Sequence, residues 1–148
     1  MPQLNQIAPF SGYPIVYTVA DPAAGAGFTL TIDTRKIPQL ICGGFNFVTD
    51  ANVADRFIKL QIMRGAQAIW SWTSGTSTPA ATAADVAIGT IPRPLYAIAA
   101  NYDQYLALPF PCLLDANCSI AFTVIGGQVG DQISDIRFYA LRHWDIGI

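Results

Sequence analysis

The sequence predicts an all-β domain: an antiparallel β-sandwich of jelly-roll type with about eight strands. No window of a dozen residues keeps the apolar periodicity of a helix. Short runs rich in β-branched and aromatic residues recur along the chain, as strands require. The 12 glycines and 10 prolines separate these runs. The strand count favours a jelly roll over an immunoglobulin-like sandwich.

The first part of the chain is predicted to be an irregular arm, residues 1–13, because Pro2, Pro9 and Pro14 interrupt any ladder there. The rest, residues 14–148, is expected to form one β-sandwich domain, which suits a chain of 148 residues. Its first strands are predicted at 14–20, 28–33 and 39–48. The third run contains Gly43-Gly44, where a strand bulges or bends.

The middle of the chain holds the clearest strand signal, at residues 56–63, where Ile58, Leu60 and Ile62 share one face. A tight turn leads from it into a strand at 67–72. Residues 73–94 are mostly Ser, Thr, Ala, Gly and Pro, so they are predicted to form a long surface loop, with a short strand possible near 85–88. The remaining strands are expected at 95–100, 105–108, 118–125 and 133–144.

The composition favours burial of surface against other subunits. The chain is 52% hydrophobic and contains two lysines and no glutamate, the two residue types that interfaces avoid. Strands also disfavour both, which is a second explanation. The net charge is −2 and the arginines are scattered, so no nucleic-acid partner is expected. Without a signal sequence or a long apolar stretch, no membrane association is expected either.

The residues typical of catalysis form no recognisable set, so we predict a non-enzymatic protein without cofactor or metal. His143 is the single histidine, whereas a metal site needs several ligands. Asp50, Asn52 and Asp55 resemble part of a calcium loop, but the loop glycine and the final glutamate are missing. Turn formation explains these polar residues equally well.

Other polar residues also have ordinary explanations. The acids Asp103, Asp115, Asp131 and Asp135 lie in turn-like sequence, and solvated loop acids are the expectation. The three cysteines, Cys42, Cys112 and Cys118, match no zinc module and are expected to be reduced and buried. Whether Cys112 and Cys118 pair stays open.

Candidate partner-binding residues fall into two groups. Pro9, Phe10 and Tyr13 belong to the arm, which is expected to lie on a neighbouring subunit. Trp70 and Trp72 share one face of a strand, so both are either buried in the core or displayed together. Displayed tryptophans anchor partners or stack on sugar rings.

Two segments resemble small structural proteins of tailed bacteriophages. Residues 47–62, FVTDANVADRFIKLQI, are similar to a pattern in which T-x-A-x-V-A-x-R leads into an alternating strand. Residues 130–138, GDQISDIRF, are similar to a second element, G-D-x-I-x-D-V-x-L, that opens the final strand. This chain has Ile and Phe where the second pattern has Val and Leu.

The resemblance implies a head decoration or cement protein: a jelly-roll homo-oligomer, expected to be a trimer, that binds and stabilises the major capsid shell. Its implied location is the virion surface, after synthesis in the bacterial cytoplasm. Its implied partners are other copies of itself and the major capsid protein. The alternative is a carbohydrate- or receptor-binding module of a head fibre or tail, which would use Trp70, Trp72 or the loop at 73–94.

Overall fold

The structure, a computed structural model, describes residues 13–31, 38–89, 104–107, 112–113 and 117–142. Within these ranges the chain forms strands, turns and loops and no helix. The strands are β1 Tyr13–Thr18, β2 Phe28–Thr31, β3 Pro38–Val48, β4 Phe57–Arg64, β5 Gln67–Thr73, β6 Ala83–Gly89, β7 Gln104–Ala107, β8 Cys112–Leu113, β9 Cys118–Ile125 and β10 Gln132–Arg142. The predicted all-β class is confirmed.

Two mostly antiparallel sheets pack face to face as a β-sandwich. Sheet A has the order β1-β10-β3-β6-β7, with β8 also pairing with β3, and sheet B has the order β2-β9-β4-β5. Only β6 and β7 pair in parallel among the described strands. When the short β7 and β8 are set aside, the other eight strands form two four-stranded sheets, β1-β10-β3-β6 and β2-β9-β4-β5. This is the strand order of a jelly roll.

The core lies between the sheets and is built on four phenylalanines, one each from β2, β3, β9 and β10. Phe28 and Phe122 stack with ring centroids 4.5 Å apart, and Phe45 meets Phe122 edge-on at 5.3 Å. Phe138 lies beside Phe122 and is fully buried. Buried residues of the strands supply the rest of the core: Leu30, Leu40, Phe47, Ile58, Leu60, Ile62, Val86, Ile88, Ile120, Ile133 and Ile136.

The glycine pair in β3 is explained by packing rather than by a bulge at that point. A Cβ on Gly43 would collide with the ring of Phe138. The irregularities of the β3–β10 pairing lie to either side, between Ser134 and Arg137 and between Tyr139 and Ala140. At the first of these, Asp135 has a φ of 53°, which is unusual for a residue other than glycine.

The segment 73–94 was predicted as a long surface loop with a short strand possible near 85–88; the strand is confirmed and is longer than predicted. It is β6, a seven-residue strand paired along β3, in which Ala84, Val86 and Ile88 are buried. Of the predicted arm, residues 1–13, all but Tyr13 lie outside the described residues, as does the predicted strand at 95–100, and β1 begins at Tyr13.

Candidate functional site

Arg56 is the centre of a buried polar cluster at one end of the sandwich. It immediately precedes β4, and its side chain is 0% exposed. Its Nε donates to Asp131 Oδ2 at 2.7 Å, and its Nη2 donates to Asp50 Oδ1 at 2.5 Å. Two further bonds run to the carbonyl oxygens of Ala54 and Asn52, at 3.1 and 2.9 Å. The guanidinium is therefore held by loop oxygens on several sides.

This arrangement accounts for the calcium-like residues of the loop. Asp50 directs one oxygen to Arg56 and accepts from the backbone and side-chain nitrogens of Asn52. The positive charge among these oxygens is thus the guanidinium of the chain itself, while Asp55 is exposed. Within the described ranges, no three His, Cys, Asp or Glu residues lie close enough to hold a metal ion.

Asp131 is the buried anion of the cluster, not the solvated loop acid that the sequence suggested. Its Oδ1 accepts from the backbone N–H of Asp50 at 2.9 Å, and its Oδ2 accepts from that of Gln128 at 2.8 Å. Burial by itself raises the pKa of Asp131, but the hydrogen bonds from Arg56, Gln128 and Asp50 outweigh it. The pKa therefore lies below the ordinary value of 3.8. Asp131 is ionised at neutral pH and serves as an acceptor only.

The cluster ties together the loops at this end of the sandwich. The carbonyl oxygen of Asp131 accepts from the backbone N–H of Gly25 at 2.7 Å, which anchors the loop between β1 and β2. Thr49 Oγ1 donates to the carbonyl oxygen of Pro79 at 2.6 Å, which anchors the loop between β5 and β6. All polar atoms of Arg56 and Asp131 described above face the protein. The cluster consequently holds these loops in place and is not a site for acid–base chemistry. We call it the structural lock, and the end of the sandwich where it lies the locked end.

The locked loops carry two apolar side chains that face solvent. Val53, in the loop before β4, is 97% exposed, and Val129, in the loop before β10, is 86% exposed. Sequence reasoning did not single out either residue. Val53 occupies the valine position of the T-x-A-x-V-A-x-R stretch. The strand pattern did not indicate that this valine is exposed.

The tryptophan candidates of β5 face inward. Trp70 and Trp72 are partly buried and pack against the core cluster. Ile69, which directly precedes Trp70, points outward and is 57% exposed. Of the arm candidates, Pro9 and Phe10 lie outside the described residues, and only the backbone of Tyr13 is described, in β1.

Three other residues singled out in the sequence have different outcomes. His143 lies beyond the last described residue. Cys42 is exposed rather than buried, and partial desolvation raises the pKa of its thiol. Cys118 is half-buried at the start of β9.

A groove runs across the outer face of sheet A, away from the core. It has a volume of about 480 Å³. No side chain fills it at Gly44 of β3. Gly44 pairs with Ala87 of β6 and Arg137 of β10. Larger side chains also line the groove: Asn46, Asp85, Asp135, Arg137 and Tyr139.

The chain has no recognisable relatives in three comparisons with known proteins. No protein-family model matches it. No curated protein matches it, and no solved structure matches it. The lock, the exposed valines and the groove are therefore the features of the structure that bear on function. No helix long and apolar enough to span a bilayer occurs in the part of the chain that the structure describes.

Proposed function

We propose that this chain is a non-enzymatic structural subunit of a tailed-phage particle, a decoration or cement protein that binds and stabilises the major capsid shell. The observation that carries the proposal is the contact between the two phage-like segments. Arg56, the last residue of the first motif, binds Asp131, the second residue of the other, across 75 positions of sequence. The meeting of the two segments in one buried ion pair supports the proposal.

The distribution of exposed apolar residues supports a contact surface at the locked end. Val53 contributes nothing to the core, because 97% of it is exposed. Its loop is nevertheless held firmly, by Arg56 bonding to the carbonyl oxygens of Asn52 and Ala54 on either side of it. Ordering a loop before it binds lowers the entropic cost of association. We place the capsid-facing surface at Val53 and Val129.

The fold suits such a role. A jelly roll leaves its loops at the two ends of the sandwich, and loops held by a rigid scaffold are where proteins commonly bind partners. The few charged residues, 12% of the chain, limit the desolvation cost of covering surface. By adding buried area across capsid subunits, a small protein of this kind stabilises the shell without any chemistry.

The test combines native mass with capsid binding. Light scattering of the purified chain is expected to give a trimer of the 15.9 kDa protomer. The protein is expected to cosediment with tailed-phage heads that have been stripped of their decoration proteins. Val53→Asp places a charge in the proposed interface and is expected to abolish cosedimentation, while the fold is retained because the side chain lies in solvent. A chain that stays monomeric and never sediments with heads contradicts the proposal.

A matched control separates this surface from the rest of the molecule. Ile69→Asp also adds a charge at an exposed apolar residue, 57% exposed, but on β5 of sheet B. It is expected to leave cosedimentation unchanged. Equal loss in both variants would assign the contact elsewhere and refute the placement at the locked end.

A further inference from the structure

The groove on sheet A is lined by neither Val53 nor Val129, the residues of the proposed capsid contact. Its volume of about 480 Å³ falls in the range of small-molecule sites, about 300–1,000 Å³. The groove results from the sequence: one of its lining residues is Gly44, which has no side chain and pairs with the small Ala87 of β6. A Cβ on Gly44 would lie 2.6 Å from the carbonyl oxygen of Val86. No side chain can therefore stand at this position without moving the sheet.

An aromatic ring lies at one side of the groove. Tyr139 is 47% exposed on a strand whose inward neighbours, Phe138 and Ala140, are buried. Directly across the β1–β10 pairing lies Val16, which is 54% exposed. A half-exposed tyrosine beside an exposed valine is a flat apolar surface with a hydroxyl at its edge.

Hydrogen-bonding groups of both kinds lie around this ring. Asp85 and Asp135 supply carboxylate acceptors, while Arg137 and Asn46 supply donors. Asn46 Nδ2 donates to Asp135 Oδ2 at 2.9 Å, and the backbone N–H of Asp135 donates to Asp21 Oδ1 at 3.1 Å. These bonds hold Asp135 at its bulge in a left-handed conformation that side chains rarely adopt. The carboxylate is thus placed before any ligand arrives.

The mixture of groups selects one class of ligand. Two carboxylates against one guanidinium make the groove net negative, which disfavours phosphates, sulfates and nucleotides. A purely apolar ligand would desolvate the charged groups without offering them any hydrogen bond. A ligand with an apolar face and many hydroxyl groups satisfies both requirements, since each hydroxyl donates and accepts.

We propose that the groove on the outer face of sheet A is a binding site for a neutral saccharide. A pyranose ring stacks its C–H face on Tyr139, Asp85 and Asp135 accept hydrogen bonds from its hydroxyl groups, and Arg137 donates to its oxygens. The site differs from the tryptophan pair of β5, which packs inward. It goes beyond the proposed capsid role by giving the same subunit a second, outward-facing surface for glycans.

The experiment uses the full chain and a panel of neutral hexoses, N-acetylhexosamines and their disaccharides. Saturation-transfer difference NMR is expected to show transfer to ring C–H protons of at least one sugar, and titration calorimetry then gives its affinity. Tyr139→Ala is expected to weaken binding by about tenfold or more, as loss of an aromatic anchor does. Tyr139→Phe keeps the stacking ring and is expected to retain most of the affinity.

The charged groups and the control have their own variants. Asp135→Asn removes one charge while keeping a residue that tolerates a positive φ, and it is expected to weaken binding by about tenfold, since a charge-assisted hydrogen bond is lost. Ile69→Ala, on the other sheet, is expected to change nothing. Thermal unfolding of each variant confirms that it folds.

Several outcomes overturn the saccharide site. They are failure of every sugar in the panel to bind, binding that survives Tyr139→Ala unchanged, and binding of inorganic phosphate in place of sugars. A change of native mass in Tyr139→Ala without an effect on sugars would make this face an interface between copies and would also overturn it. Val53 and Val129 do not line the groove. Refuting the saccharide site therefore leaves the capsid proposal standing, and refuting the capsid contact leaves the saccharide site standing.

Discussion

Replacing Asp131 by asparagine tests the lock most directly, because the change keeps the shape of the side chain and alters only charge and hydrogen bonding. In the native protein both oxygens face donors: the N–H of Asp50 on one side, and Arg56 Nε and the N–H of Gln128 on the other. The amide group of asparagine places an N–H₂ against one of these donors. Whichever way the amide turns, at least one buried N–H group loses its acceptor.

The magnitude follows from the environment of the pair. Removing one partner of a buried ion pair costs about 3–5 kcal/mol. Arg56 keeps its bond to Asp50 at 2.5 Å, so the lower end of that range applies, about 3 kcal/mol. Small domains have unfolding free energies of about 5–15 kcal/mol, so the variant folds but is much weakened. With a urea dependence of about 2 kcal/mol per molar, the unfolding midpoint falls by about 1.5 M.

Equilibrium urea unfolding, followed by tryptophan fluorescence, measures this change. Trp70 and Trp72 pack against the core and report its exposure. The control is Asp55→Asn, which makes the same substitution next to Arg56 at an exposed residue, and its midpoint is expected to move by less than about 0.3 M. If Asp131→Asn matches this control, the pair does not lock the fold and the reasoning is refuted.

Three further predictions concern packing, backbone and acid. Phe138→Ala removes a fully buried ring and is expected to cost about 3–5 kcal/mol in the same urea assay; a loss below 1 kcal/mol would contradict the described core. Gly126→Ala is expected to destabilise the fold more than Gly65→Ala does. Both glycines have a positive φ, but a Cβ on Gly126 collides with the carbonyl oxygen of Asp55, whereas a Cβ on Gly65 meets nothing. Equal urea midpoints for the two variants would contradict this prediction. Because its pKa is lowered in the folded protein, Asp131 stabilises the fold at pH values above its unfolded pKa of about 3.9, and this stability is lost as the pH falls through the folded pKa. A urea midpoint that does not change below pH 5, or an equal loss of stability in acid for Asp131→Asn, would show otherwise.

Much of the sandwich was predictable because period-two alternation is a local signal. In β4, Ile58, Leu60 and Ile62 face the core as their spacing predicts. The alternation of β6 was weaker, since its outward residues include Ala83 and Ala87, and a run of small residues resembles a loop. The full length of β6 becomes evident only from its pairing with β3 and β7 in the sheet.

The sites were less predictable, because they depend on residues distant in sequence. Asp131 follows a glycine in a turn-like stretch, and nothing nearby indicates that a buried arginine 75 positions away requires it. The groove has the same origin: Asn46, Asp85 and Asp135 come from three strands that become neighbours only when the sheet forms. The tryptophan pair was correctly placed on a single face, but one strand alone does not reveal which face is inward.

The strand order has a consequence for synthesis on the ribosome. In sheet A, β10 separates β1 from β3, and in sheet B, β9 separates β2 from β4. Until residues 118–142 have emerged, each sheet is therefore split into two pieces whose apolar faces lack their central partner. Contacts of such long sequence separation form slowly, on a scale of about milliseconds to seconds. The chain made before then must stay soluble, and folding is completed only when β9 and β10 can pair.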